Sequence, residues 1–269
     1  MKYRIVEDEF ENKDDLKKKV RKTKKPRKKK KRKKKNYLLR LFVIIVVSVG
    51  LYYFASSEMF DIDKVQIENN QHYTIEQIKD KAGVKIGQNI FKFKKSELKE
   101  KLLKDPYFEN VVIKRKFPST IVIDVTERTE MAIIKRAGQN IVIDPNGLVL
   151  RVTDATPTVT ELTGLRVKKV EAGKALQVDE SALLADTLEM MKKLEGTELF
   201  FKKIEVANVT IRAYIYDQLI CEGTPDNMMK SIANGNLETV IYEMYSKGIE
   251  RGVIKVGSDN YCAFDPNVE

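Results

Sequence analysis

One long apolar run interrupts a chain that otherwise alternates hydrophobic and polar positions. Tyr37 to Ala55 reads YLLRLFVIIVVSVGLYYFA, and from Leu41 onward the run carries no charge. A bilayer core about 30 Å thick needs roughly 20 apolar residues in a helix, and Arg40 can extend its guanidinium to the headgroups. The run therefore predicts a single transmembrane helix over residues 37–57.

A buried core helix and a cleaved signal peptide are the alternatives to this anchor. A signal peptide starts close to the N-terminus and ends at a small-residue cleavage site. Here 36 residues precede the run, and no convincing A-x-A site follows it. We therefore expect an uncleaved anchor that crosses the membrane once.

After the run, the pattern predicts a unit with the order β-α-α-β-β over residues 58–128. Apolar and polar residues alternate with the period of a strand in Lys64–Glu68, Asn110–Lys116 and Thr120–Glu127. This order favours a three-stranded sheet with both helices on one face, which is an α+β fold.

Two helices are predicted between the first two of these strands. Thr74 and Gln77 have the spacing of a capping box, and Gly83 can end the first helix in a left-handed conformation. Ser96 is the predicted cap of the second helix, which carries Leu98 on its apolar face.

Residues 129–269 predict a second unit, a mostly antiparallel β-domain with packed helices. One helix is expected to be capped by Asp179 and to reach about Leu194, and another to run from Thr224-Pro225 to Gly248. The polar residues Ala155–Thr163 are expected to form a connection. The predicted strands are Ala132–Arg136, Asn140–Asp144, Leu148–Val152, Phe200–Val206, Val209–Tyr216, Leu219–Glu222, Val253–Val256 and Tyr261–Phe264.

Most of the positive charge lies before the apolar run. Residues 1–36 contain 19 Lys and Arg against 6 Asp and Glu, and 16 of the basic residues fall within residues 17–35. Like charges at this density repel, so residues 1–36 are predicted to be a disordered tail. A basic flank stays in the cytoplasm and attracts anionic lipid headgroups. The expected orientation is therefore single-pass type II, with the N-terminus in the cytoplasm and the C-terminus outside.

Nucleic acid is the competing ligand for the basic tail. No aromatic residues interleave with its charges, and no folded scaffold is predicted to present them. We therefore expect topology and lipid contact to be its roles, without specific nucleic-acid binding.

The chain offers few residues for redox, metal or cofactor chemistry. It has two cysteines, Cys221 and Cys262, in no metal-binding spacing, and a single histidine, His72. A disulfide between the two cysteines and two free thiols remain open at this point. We expect no metal and no cofactor.

The first unit carries three short motifs. They are Gly87, Asn89 and Phe91 before the second helix, Arg115 and Pro118 at the last turn, and Glu127-Arg128 at the end of the last strand. These motifs resemble those of a POTRA domain of the FtsQ/DivIB family of bacterial division proteins. Their order, spacing and position after a basic-flanked apolar run make the match specific, although Glu130 replaces a usual proline and Val159-Thr160 a usual Leu-Pro.

The resemblance implies a protein that does no chemistry of its own. Members of the family are bitopic scaffolds of the divisome at the septum, which bind the small single-span proteins FtsL and DivIC (FtsB). With them they regulate septal peptidoglycan synthesis, alongside the septal penicillin-binding protein complex. The resemblance thus implies a cell membrane protein of cell division.

A membrane-anchored extracellular cell-wall enzyme is the alternative function, and a POTRA chaperone of outer-membrane insertion is a second one. His72 lies in a predicted polar turn, which indicates a surface residue. Four carboxylates could in principle act in pairs as acid and base, but carboxylates in turns and on solvent faces are far commoner. These are Asp124, Glu127, Asp144 and Asp265. We expect no catalytic residues.

The candidate partner-binding residues lie in two places, the last two strands of the β-domain and the second strand of the first unit. In the family the last strands of the β-domain are implicated in partner binding, and an open sheet edge can accept a strand from another chain. The first candidates are Val253, Ile254, Lys255, Val256, Tyr261, Cys262, Ala263 and Phe264. The second candidates are Val111, Val112, Ile113, Lys114, Arg115 and Lys116.

Overall fold

The computed structural model describes residues 36–207, 209–259 and 261–266. The predicted basic tail thus lies, apart from its last residue, outside the described residues. Tyr37–Ala55 forms helix α1, whose side chains are exposed along almost all of its length. By length and composition, α1 is the one helix in the described part of the chain that is able to cross a membrane.

The predicted β-α-α-β-β order is confirmed for a three-stranded unit. In its sheet the strand order is β1-β3-β2, so β3 lies between a parallel β1 and an antiparallel β2. Its elements are β1 (Lys64–Glu68), α2 (Ile75–Ala82), α3 (Lys95–Leu102), β2 (Phe108–Lys116) and β3 (Thr120–Glu127). A short 3-10 turn, Glu58–Phe60, precedes β1.

The two helices of this unit differ in how they begin. The Thr74 side chain accepts a hydrogen bond from Gln77 N, and Gln77 Oε1 accepts one from Thr74 N, so the predicted capping box of α2 is confirmed. The predicted cap at Ser96 is wrong, because Lys94 is the N-cap and Ser96 lies inside α3, which begins at Lys95. Lys94 reaches Glu97 instead, in a 2.6 Å ion pair across the first turn.

A nine-stranded sheet forms the second unit of the described chain. The strand order is β14-β13-β12-β11-β10-β7-β4-β5-β6, and five of the eight neighbouring pairs are antiparallel. Its strands are β4 (Ala132–Arg136), β5 (Gln139–Ile143), β6 (Val149–Thr153), β7 (Thr160–Thr163), β10 (Lys203–Ala207), β11 (Thr210–Tyr214), β12 (Gln218–Gly223), β13 (Arg251–Val256) and β14 (Cys262–Asp265). A separate pair, β8 (Val167–Lys169) and β9 (Gln177–Val178), completes the strands.

The expectation that Ala155–Thr163 is only a connection is wrong. Its last four residues are β7, which lies in the middle of the sheet between β4 and β10 and is parallel to both. The strand is short and polar, but Leu162 is buried and Thr160 Oγ1 donates a 2.8 Å hydrogen bond to the Phe201 carbonyl. In the sequence, a threonine that is buried and hydrogen-bonded cannot be told from an exposed one, so Thr160 was not predicted as a core position.

Two of the predicted helices have different bounds in the structure. Helix α4 is Ser181–Lys192 with Glu180 as its N-cap, so the predicted cap at Asp179 and the extension to Leu194 are wrong. The single helix predicted from Thr224-Pro225 to Gly248 is instead two helices, α5 (Pro225–Ala233) and α6 (Asn236–Ser246). Gly235, with a φ of +69°, turns the chain between them.

Each unit has its own hydrophobic core. The first core is built from residues between Phe60 and Val125, and the second from residues between Ala132 and Val256. The boundary between residues 128 and 129 stays a prediction, and it falls in the interval that neither core includes.

The strand register decides the pairing of the two cysteines. Cys221 on β12 pairs with Ile254, Cys262 on β14 pairs with Val256, and β13 lies between them. Two strand spacings amount to about 10 Å, whereas a disulfide needs Cα atoms within about 7 Å. Both cysteines are free, and burial raises the pKa of the Cys221 thiol.

Candidate partner-binding strands

The last strand of the chain, β14, lies at the edge of the nine-stranded sheet. It pairs antiparallel with β13, and no other strand in the described part of the chain pairs with it. Its four residues are all of intermediate exposure. The structure therefore places the C-terminal half of the first candidate set, Cys262–Phe264, on an open sheet edge.

The register of the hairpin shows which main-chain groups face that edge. Gly257 N donates to the Tyr261 carbonyl at 2.8 Å, and the hydrogen-bonded pairs then alternate along the two strands. Ala263 and Asp265 point their main-chain groups inward to β13. The N–H and C=O groups of Cys262 and Phe264 therefore point outward, where an added strand would bind them.

The N-terminal half of the first candidate set has a different environment. Strand β13 is hydrogen-bonded to β12 on one side and to β14 on the other, so its main chain is already paired. Val253, Ile254 and Val256 are buried, and Lys255 forms a 3.1 Å ion pair with Asp265. These four residues therefore lie inside the sheet, next to β14.

The side chains of β14 also divide between two faces. Cys262 Sγ lies 3.5 Å from both Ser231 Oγ and Asn236 Nδ2, and Phe264 packs against the core under α5 and α6. Tyr261, just before the strand, is 63% exposed. Of the two aromatic residues of the hairpin, Tyr261 is thus the one whose ring is open to a partner.

The second candidate, β2, is an edge strand of the three-stranded sheet. Val111 and Ile113 are buried against the helices, whereas Val112, Lys114 and Lys116 lie on the opposite, exposed face. Lys114 reaches Asp124 on β3 at 3.3 Å. This edge therefore carries a row of positive charge.

Arg115 is only partly exposed and contacts the backbone of the loop before α3. Its Nη2 donates a 2.5 Å hydrogen bond to the Phe93 carbonyl, in the segment before α3. Its Nε is buried without a hydrogen-bond partner in the described part of the chain. The arginine therefore holds the loop to the end of β2.

Comparison with known proteins identifies the first unit and finds relatives over a longer part of the chain. The model of the POTRA domain, FtsQ-type, matches residues 60–128. Cell division protein DivIB of Clostridium acetobutylicum is 25% identical over 176 residues, which cover 64% of this chain and 71% of the relative. DivIB of Clostridium botulinum strain Hall is 29% identical over 178 residues, with 64% and 70% covered.

These matches support the FtsQ/DivIB family for this chain. A cell division protein named FtsQ, from Corynebacterium glutamicum, is 25% identical over 123 residues and covers 46% of this chain and 55% of its own. The solved extracytoplasmic domain of the trans isomer of DivIB from Geobacillus stearothermophilus is 14% identical. It covers 40% of this chain and 87% of its own, with a TM-score of 0.28. The assignment to the FtsQ/DivIB family rests on the sequence matches.

The four predicted carboxylates do not converge on one site. Asp124 contacts Asn69 and Lys114, and Glu127 accepts hydrogen bonds from the backbone N–H groups of residues 71 and 72. Asp144 pairs with Arg128 and Asp265 with Lys255. No group of three His, Cys, Asp or Glu side chains suited to a metal ion occurs among the described residues.

A polar network that the sequence analysis did not anticipate lies between the two sheets. Glu130 Oε1 accepts hydrogen bonds from the Tyr107 hydroxyl and, at 3.0 Å, from Arg151 Nε. Burial raises the pKa of Glu130, but the hydrogen bonds from Tyr107 and Arg151 outweigh it and leave the pKa below its usual value. Burial and the Glu130 hydrogen bond raise the pKa of Tyr107.

Two further contacts strengthen this junction. The buried Asp144 accepts two 2.8 Å hydrogen bonds from the backbone of its own turn and contacts Arg128 at 3.3 Å. The His72 ring, which is exposed, stacks on Tyr107 with 3.9 Å between centroids. In the sequence, the Glu127-Arg128 motif was the signal that could have indicated this junction, because both side chains hold the end of β3 in place.

Proposed function

We propose that this protein is a bitopic scaffold of the bacterial divisome. Its β-domain binds small single-span division proteins of the FtsL and DivIC/FtsB type outside the membrane and so regulates septal peptidoglycan synthesis. The observation that carries the proposal is the open edge of β14. Its outward main-chain groups offer hydrogen bonds to an extended segment of a partner.

The side chains around β14 favour strand addition rather than binding in a deep pocket. Strand addition takes its affinity from the main chain and its specificity from neighbouring side chains. The exposed ring of Tyr261 offers a side-chain contact at one end of the strand. The Lys255–Asp265 pair lies on the face opposite the helices and offers charges at the other end.

The proposed topology places this edge outside the cell. Helix α1 has the length and apolarity of a span, and the dense positive charge that precedes it favours the cytoplasmic side. Membrane anchoring keeps the β-domain at the septal membrane, together with the septal penicillin-binding protein complex. Contact of the basic tail with anionic lipid headgroups belongs to the same proposal.

A proline substitution tests the main-chain edge directly. In Cys262→Pro the outward N–H is lost, while the hydrogen bonds between β13 and β14 remain, because proline is tolerated where the N–H faces solvent. We expect capture of the small partners from solubilised membranes to fall about tenfold or more. The melting temperature should change little.

Cys262→Ala is the matched control, since it removes the same thiol and keeps the N–H. It should capture partners as the parent protein does. If Cys262→Pro captures partners equally well, the β14 edge is not the binding site and β2 becomes the candidate.

A further inference from the structure

Three phenylalanine rings form a cluster at the start of the three-stranded unit, which we name the aromatic collar (Phe60, Phe91 and Phe117). The ring centroids of Phe60 and Phe91 lie 5.2 Å apart, those of Phe91 and Phe117 5.4 Å, and those of Phe60 and Phe117 6.4 Å. Aromatic pairs at these separations attract one another beyond their area burial. Residues far apart in sequence therefore form one apolar surface.

The collar is tied to the last turn of helix α1. Phe54 in that turn packs edge-on against Phe60, with 5.2 Å between centroids. Asn89, only 9% exposed, donates a 2.9 Å hydrogen bond from Nδ2 to the carbonyl of Ala55, the final residue of α1. The Asn89 side chain thus satisfies one of the carbonyl groups that a helix leaves unpaired at its end.

Backbone hydrogen bonds hold the collar rigidly in this place. Ile90 N donates to the Phe60 carbonyl at 2.8 Å, and Ile62 N donates to the Gln88 carbonyl at 2.9 Å. Arg115 fixes the other side through its bond to Phe93. The loop that carries Phe91 therefore cannot move away from the end of α1 without breaking several hydrogen bonds.

The collar is nevertheless open on its outer side. Phe117 is 57% exposed, Phe91 46% and the neighbouring Met59 52%. Such side chains at the surface lose the stabilisation that burial of their apolar area would bring. Lys92 and Lys116 flank the two outer phenylalanines and are exposed, while Glu58 is the exposed acidic residue beside Met59.

We propose that the aromatic collar inserts into the interface of the outer leaflet of a bilayer that contains anionic phospholipid. Chain connectivity and the Asn89 bond keep the collar next to Ala55, where the apolar span ends and the headgroups begin. Phenylalanine and methionine reach the acyl boundary there, and Lys92 and Lys116 contact lipid phosphates. The three-stranded unit is thereby seated on the membrane.

The inference rests on α1 being the membrane span of the proposed function. It goes beyond that function because it assigns a lipid contact to a part of the protein outside the span. A partner protein or a second copy of the chain could cover the same rings, and the experiment distinguishes these from lipid by using lipid alone.

The chain contains no tryptophan, so a single introduced tryptophan is a unique fluorescent reporter. We would prepare Phe117→Trp and Phe91→Trp of the full chain in nanodiscs of phosphatidylcholine and phosphatidylglycerol, with and without bromine on the acyl chains. For both variants we expect blue-shifted emission and at least about twofold quenching by brominated lipid, because interfacial aromatic rings lie at the headgroup boundary.

Two further variants supply the references. Phe200→Trp replaces an equally exposed phenylalanine (56%) of the nine-stranded unit, and its emission should stay unquenched. Val46→Trp, in the middle of α1, reports on the span and should be quenched most strongly.

The outcomes separate the inference from the function on which it rests. Unquenched emission from Phe117→Trp and Phe91→Trp, with strong quenching at Val46→Trp, overturns the lipid contact and leaves the anchor intact. Unquenched emission at Val46→Trp overturns the anchor and the lipid contact together. Quenching of both collar variants, and not of Phe200→Trp, supports the proposal.

Discussion

Strands β14 and β2 both lie at the edge of their sheets, but they differ in how available they are for pairing with another chain. Each pairs antiparallel with one neighbour and leaves its other side unpaired among the described strands. Strand β2 carries Lys114, Arg115 and Lys116 in succession, whereas β14 has one charged residue, Asp265, which pairs with Lys255. Charge is a common means of keeping an edge from pairing with another chain. The comparison favours β14 as the strand that accepts a partner.

The largest expected effect comes from pushing β14 off its neighbour. Gly252 on β13 has a φ of +140°, and a Cβ there would lie 2.3 Å from Phe264 Cε2 and 2.8 Å from the Asp265 carbonyl oxygen. Gly252→Ala should therefore destabilise the β-domain by about 2–4 kcal/mol, or roughly 5–15 °C in melting temperature. Capture of the small partners should be lost with it.

Gly138→Ala is the control for the backbone cost alone, since Gly138 has a φ of +83° but open space around its Cβ. We expect a loss of about 1 kcal/mol there and unchanged partner capture. Equal effects of the two substitutions would show that β14 does not depend on close contact at Gly252.

A smaller effect should follow from giving β14 the charge that β2 has. Tyr261→Lys places a positive charge beside the open edge and removes the exposed ring. We expect capture to weaken about tenfold, or 1.4 kcal/mol, without a change in thermal stability. Tyr242→Lys is the matched control, because Tyr242 is 71% exposed on α6, away from the strand. Equal capture by both variants would remove Tyr261 from the site.

A third pair of substitutions tests whether the positive charges of β2 stabilise the fold or bind a partner. Arg115→Ala removes the hydrogen bond to Phe93 and the packing of the partly buried side chain, so we expect a loss of about 1–3 kcal/mol in stability. Lys116→Ala, at the exposed neighbouring position, should cost less than about 0.5 kcal/mol. Partner capture, measured alongside denaturant unfolding, should be equal in both variants. A selective loss of capture in Arg115→Ala would move the site to β2.

The two sheets also differ in how far the sequence predicts them. In the three-stranded unit the strands alternate apolar and polar residues, the first helix has a capping box, and turn residues separate the elements. These local signals agree with the fold. In the nine-stranded unit, β7 was missed because a four-residue strand with two threonines is recognised only by its neighbours β4 and β10. The break at Gly235 was missed because a single glycine in a helical pattern does not show that the chain turns there, and the φ of +69° is visible only in the structure.

The candidate edge was predictable as a hairpin but not in its details. Alternation in the last residues indicated two strands, and a terminal hairpin often supplies a sheet edge. Which strand lies outermost depends on the order of all nine strands, which places β13 inside and β14 outside. The inward orientation of Phe264 depends on the packing of α5 and α6, and no local pattern reports that.

The smallest predicted effect concerns the junction that joins the two sheets. Glu130 has a folded-state pKa below its usual 4.5, so its contribution to stability is present above that pH and is lost as the pH falls through the lowered pKa. Tyr107 has a raised pKa, so its contribution is present below its usual 10.0 and is lost as the pH rises through the raised value. The junction should therefore weaken at both extremes of pH.

Glu130→Gln tests this through the pH dependence of unfolding. The variant should lose about 1 kcal/mol near neutral pH, because Arg151 loses its charged partner, and should show a flatter stability profile below pH about 4.5. Glu109→Gln is the control, since Glu109 is half exposed and contacts Arg128 at 3.5 Å. It should follow the parent profile closely, because an exposed pair contributes little. A parent-like acid profile in Glu130→Gln would mean that this carboxylate does not stabilise the junction between the two sheets through its contacts with Tyr107 and Arg151.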